Sequence, residues 1–202
     1  MSVHKPLTLA LSLLLASAPL SAGAQAASKP VSTSASKSAS SSASKSASKS
    51  APKADPAMIA IRNQWRQVTE FIARSAEQMP EADYAYRPIA TVRTFGQLVA
   101  HVAGAQASIC ASALGEKGGA EDAVEKGLMT KAAITTALTE SSAICERAYA
   151  QGMREAAKPT TMFGESTTRI GAMALNAVHN GEHYGNIITY FRMKGMVPPS
   201  SQ

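Results

Sequence analysis

Thr94-Phe95-Gly96-Gln97-Leu98-Val99-Ala100-His101-Val102-Ala103 reads as the opening of a buried helix. Thr94 suits an N-cap, because its hydroxyl can accept a backbone N–H that the first turn leaves without a partner, and Gln97 three residues on completes a capping box. Phe95, Leu98, Val102 and Ile109 then recur at the spacing that lines one helix face, and Leu114-Gly115 supplies the stop. His101 falls within the first two turns, where Ala100, Gly104, Ala105 and Ser108 leave room for something to face it.

Three more segments carry the same period. Asp55-Pro56, an N-cap followed by proline at the first helical position, announces a helix in which Met58, Ile61, Trp65, Val68 and Ile72 mark a core-facing stripe to about Glu77. A third helix is expected from Thr130 to Gln151, with Ile134, Leu138, Ile144 and Tyr149 buried; its alanine-rich composition blurs the period. A fourth is expected from Ser166 or Thr167 to Lys194-Gly195, ahead of Pro198-Pro199. No segment shows the period-two alternation and β-branched enrichment of a sheet, so the expected fold is all-α, a four-helix bundle. The connections from Gln78 to Arg93 and from Gly152 to Glu165 are long and carry Pro80, Pro88 and Pro159, as loops that roof a site often do.

Upstream of this domain, expected over 57–202, the composition changes twice. Residues 1–26 have a basic start (His4, Lys5), an interrupted apolar run from Leu7 to Leu20 and small-x-small patterns at Ala22-Gly23-Ala24 and Ala24-Gln25-Ala26, which read as a secretory signal peptide cleaved after Ala24 or Ala26. Residues 27–56 are Ser, Ala, Lys and Pro with near-repeats such as Ser42-Ala43-Ser44-Lys45, a composition with almost nothing to bury that reads as a disordered linker. No transmembrane anchor is expected, because no later stretch reaches the roughly 20 apolar residues of a spanning helix. The expected location is secreted or periplasmic.

The charge belongs mostly to that linker. From Ala57 onward 14 Lys and Arg face 13 Asp and Glu, so the domain carries +1 of the chain's +6. A nucleic-acid partner is therefore not expected of the domain. Cys110 and Cys145 are an even pair in a chain read as exported, which fits one disulfide; two buried free thiols is the other reading, and spacing alone does not decide between them.

Outside the leader the only histidines are His101, His179 and His183. His179-Asn180-Gly181-Glu182-His183 puts two imidazoles four residues apart, pointing the same way from one helix, and His101 can complete a three-histidine face. Gly181 and Gly185 bracket His183 at about 1 kcal/mol each relative to alanine, as glycines admitting a close approach would. Three neutral imidazoles leave a divalent ion its full charge and open positions, where water can be acidified or a small molecule captured. Zinc, nickel and iron all accept such a set. Glu182 lies about 100 degrees around the helix from His183 and is a weak general base; Asn176 and Asn186 share the histidine face, as ligand contacts or as interface hydrogen bonders. A bland reading remains in which the histidines fill a polar seam without metal, although Glu182 is the only acidic neighbour at helical spacing.

The stretch Thr94–Ala103, then His179-Asn180-Gly181-Glu182-His183-Tyr184-Gly185-Asn186, Tyr190-Phe191-Arg192-Met193-Lys194-Gly195 and Val197-Pro198-Pro199, together resemble the DinB-like family of four-helix-bundle metalloproteins. The resemblance implies that His101, His179 and His183 are the metal triad. It implies either a metal-dependent enzyme of hydrolase or thiol-dependent transferase type acting on a small molecule, or a noncatalytic bundle that binds a metal or small ligand. Bundles of this kind also pair as homodimers through a helix face, to which Met153, Met162, Phe163 and Met173 would contribute if they are not core. Many relatives carry Arg-Gly-Gln after the last histidine where Tyr184-Gly185-Asn186 stand here, so that arginine's role does not transfer.

Overall fold

A computed structural model describes residues 55–127 and 130–202. The signal peptide and nearly all of the linker lie outside the described residues; Asp55 and Pro56 open the first helix. Four long helices form the body: α1 (Pro56–Gln78), α2 (Phe95–Leu114), α4 (Lys131–Tyr149) and α6 (Arg169–Met193). Short helices α3 (Ala123–Gly127) and α5 (Met153–Ala156) and a hairpin of β1 (Pro159–Met162) and β2 (Glu165–Thr168) lie in the connections. The all-α expectation holds for the body, with the hairpin as a correction.

Helix boundaries follow the local chemistry. The Asp55 carboxylate accepts from the backbone N–H of Ala57, and Thr94 and Gln97 form both halves of the capping box. Gly115, at φ 76°, closes α2 in the left-handed region, where a Cβ is strained. The fourth long helix begins later than expected because the hairpin takes residues 165–168, leaving Thr168 as its N-cap over Gly171. Phe163 and Gly164 both have positive φ, the twist of a two-residue turn that matches paired strands, so Met162 faces Glu165. Four residues a strand, mostly exposed, were too short for alternation to show.

Packing decides the order of the helices. The α2 helix packs on α4 and α6, and α1 packs on α6 and α4, so α1 and α2 sit across one diagonal, α4 and α6 across the other. One core cluster joins Met58 and Trp65 early in α1, Ile109 and Ala113 late in α2, Cys145 and Tyr149 late in α4, and Ala172 and Met173 early in α6. The first and last helices therefore run one way and the middle two the other. Crossing the diagonals is the work of the two long connections. The parallel neighbours α2 and α4 need a third, and the chain from Gly115 runs back along α2 to reach α4.

A buried polar layer separates the two core clusters, with one residue from each long helix. Asn180 Nδ2 donates to Thr69 Oγ1 at 3.2 Å and to Gln106 Oε1 at 3.0 Å, and Gln106 Nε2 donates to Ser141 Oγ at 2.7 Å. Slipping any helix by one turn would strand these groups without partners, which penalises other registers. Below the layer Cys110 and Cys145 form a disulfide tying α2 to α4. Asn176 lies against it, its Nδ2 3.5 and 3.6 Å from the two sulfurs, so it is a core hydrogen bonder. Met173 is core, Met153 and Met162 pack against the core, and Phe163 at the hairpin tip is exposed. Although α2 is long and apolar enough by composition to cross a membrane, it is largely buried inside the bundle.

Candidate metal centre

Two antiparallel helices set the histidines. The Thr94 cap starts α2 so that His101 falls on its face toward α6, and the one-turn offset of His179 and His183 stacks them opposite. His179 Nε2 lies 3.3 Å from His101 Nε2 and 3.1 Å from His183 Nε2. Ligands about 2.0 Å from a tetrahedral zinc stand about 3.3 Å apart, so the spacing fits an ion. Without one, these contacts are poor: each Nε2 is either a donor or an acceptor, so His179 cannot donate to one neighbour and accept from the other. Among the described residues, these three form the cluster able to hold a metal ion.

The electrostatics keep the donors neutral. Burial holds all three imidazoles below the ordinary histidine range, His183 down to about 4, with neighbouring imidazoles and Arg93 acting in the same sense on His101 and His183. The sign for stability follows. Unfolded histidine takes its proton near pH 6.5, whereas folded His183 resists until about pH 4, so the unfolded chain binds more protons between those values and stability falls as pH drops through them. For His183 alone this amounts to about 3 kcal/mol by the bottom of that window. Chelator-treated protein should melt at a clearly lower temperature at pH 4.5 than at pH 7, with a shallower dependence in His183→Asn; parallel pH profiles for the two proteins would refute it.

The small residues beside His101 have a different use from the one expected. A Cβ on Gly104 would collide with the Glu121 carbonyl oxygen, so the gap admits the returning backbone between α2 and α4. That segment delivers Glu125 to the triad: its Oε2 lies 3.5 Å from His101 Nδ1, and its Oε1 accepts from Arg93 Nε at 2.9 Å. Sequence reasoning missed both residues, since Glu125 lies in a glycine-rich acidic stretch without period and Arg93 just precedes a cap. Gly104→Ala should cost about 1 to 3 kcal/mol by overpacking and displace α3, read as a lower melting temperature and faster amide exchange over residues 119–126; unchanged exchange there would contradict the packing.

Gly181 and Gly185 admit no close approach, as nothing lies within 4 Å of a Cβ at either position. Glu182 is exposed. Asn186 lines a cavity of about 720 Å³ beside the triad, together with His183, Arg93, Glu125, Leu98, Ile89 and Tyr190. The connection after α1 thus roofs the site as expected. The connection before α6 does not: Thr160 of β1 bonds the Ser112 carbonyl at the far end of α2.

A helical bundle in which two antiparallel helices converge three neutral imidazoles beside a cavity is a fold built to hold a metal ion. The DinB superfamily profile matches residues 61–187, and the chain belongs to that superfamily. Its fold is shared by a DinB-like protein from Bacillus cereus ATCC 10987, 13% identical, covering 69% of this chain and 93% of that one with a TM-score of 0.60. A DinB-like protein from Bacillus subtilis is 19% identical, covering 71% and 98%, with a TM-score of 0.55. A mycothiol-dependent maleylpyruvate isomerase is 14% identical, covering 72% and 78%, with a TM-score of 0.52. No curated protein matches the chain.

Proposed function

We propose that this protein is an exported, metal-dependent enzyme of the hydrolase or thiol-dependent transferase type, acting on a small molecule at a divalent ion held by His101, His179 and His183. The observation that carries the reading is the convergence of three Nε2 atoms at tetrahedral-ligand spacing beside a cavity that reaches His183. An ion there supplies Lewis-acid chemistry, polarising a carbonyl or acidifying water. The protein's own part is to hold the donors neutral by burial, fix His101 through Glu125, and seat the substrate between the roof at Ile89 and the α6 wall at Asn186 and Tyr190. The thiol-dependent neighbour supports the transferase branch. Export is supported by the leader composition and by the Cys110–Cys145 disulfide, since disulfides persist in oxidising compartments.

The test is protein purified without a tag from the exported fraction. One transition metal per chain is expected, with a mature N-terminus at Gln25 or Ala27 by mass spectrometry. Turnover of ester, amide or thiol-conjugate substrates should be lost on chelation and restored by the metal found. Metal-dependent melting with no turnover across these classes would replace the enzyme by a noncatalytic metal-binding bundle, and an unprocessed N-terminus would remove export.

A further inference from the structure

The three imidazoles differ on the side away from their shared centre. His179 Nδ1 and His183 Nδ1 are buried without a hydrogen-bond partner. His101 Nδ1 has two candidates: Glu125 Oε2 at 3.5 Å and Arg93 Nη2 at 3.4 Å, and these belong to one ion pair. A guanidinium only donates and a carboxylate only accepts, while a neutral imidazole nitrogen does one or the other according to where its single proton sits. The two side chains therefore cannot both bond Nδ1 in one tautomer. With the proton on Nε2, Nδ1 accepts from Arg93. With Nε2 given to a metal, the proton must sit on Nδ1, which then donates to Glu125 and has nothing to offer Arg93.

Arg93 and Glu125 also line the cavity beside the triad, whose neighbouring wall is apolar at Ile89, Val92 and Leu98. Arg93 is 42% exposed and Glu125 16%, so the guanidinium reaches the opening while the carboxylate stays close to His101. Resting on the metal-binding reading above, we propose that Glu125 is the positioning carboxylate of His101. Arg93, freed from Nδ1 when the triad is loaded, becomes the cation that recognises an anionic ligand in the cavity. The ligand class is a small organic anion with an apolar body, such as an aliphatic or aromatic carboxylate, and it binds after the metal.

An ordinary surface ion pair would affect neither metal nor ligand binding, and that difference is measurable. Zinc affinity is determined by competition with a chromophoric chelator for the wild type, Glu125→Gln, Glu125→Asp and Arg93→Gln. Glu125→Gln should weaken zinc binding by about 10- to 100-fold. Glu125→Asp should recover part of the loss, and Arg93→Gln should bind zinc at least as tightly as the wild type. Benzoate titrated into the zinc-loaded proteins should bind Arg93→Gln about tenfold more weakly than the wild type. Unchanged zinc affinity in Glu125→Gln would overturn the positioning role, as would equal weakening in Arg93→Gln, which would make the pair a structural unit. Equal benzoate binding with and without Arg93 would overturn the ligand assignment. A wild type that takes up no zinc would fail the three-histidine reading itself, which is a different result.

Discussion

Alanine at His183 is expected to lower metal affinity by at least about a hundredfold while leaving the bundle folded. Three-donor sites divide a binding free energy of roughly 10 kcal/mol among few ligands, so losing one costs several kcal/mol. Two donors would remain, and of these only His101 has a carboxylate behind it. The fold should survive because the neighbouring core contacts of α6 come from Tyr184, Ile187 and Phe191 in the upper cluster and Ala177 and Met173 in the lower. Elemental analysis and chelator competition on the variant provide the check. Glu182→Gln is the internal control: that side chain is exposed, and its loss should change affinity by less than about threefold. Equal metal content in His183→Ala and wild type would show that the ion, if any, is held elsewhere.

Loss of the disulfide should have the largest effect on stability. The bridge spans 35 residues. In the chain-entropy account, closing a loop of that size is worth about 4 kcal/mol, which for a domain of this size corresponds to a drop of about 10 °C in melting temperature for Cys110→Ala/Cys145→Ala. Both cysteines are fully buried, so a reductant should act only when the bundle opens; melting under reducing conditions should then approach that of the double variant. A double variant that melts with the wild type would show that the bridge adds no constraint beyond what the polar layer already imposes.

The two halves of the site were unequally legible. His101, His179 and His183 are visible in the sequence because helical spacing alone dictates which way their side chains point, and the Thr94 cap fixes where on α2 His101 falls. Arg93 and Glu125 were not visible, because their meeting depends on the route the chain takes between α2 and α4. The glycines show the same contrast. Gly104 sits where backbone passes, while Gly181 and Gly185, which look alike on paper, face open space. Asn176 and Asn186 separated in the same way, one into the core against the disulfide and the other onto the cavity wall.

By itself the sequence determined what short-range physics governs: four helices with their caps and stops, the three-histidine face, the basic character of the linker and the near-neutral domain. Only the tertiary structure decided the order and direction of the helices, the pairing of Cys110 with Cys145, the Thr69–Gln106–Ser141–Asn180 layer and the carboxylate behind His101. Those features join residues far apart in the chain. Their partners are selected by the burial of two diagonal crossings and one return along α2, which no local period records.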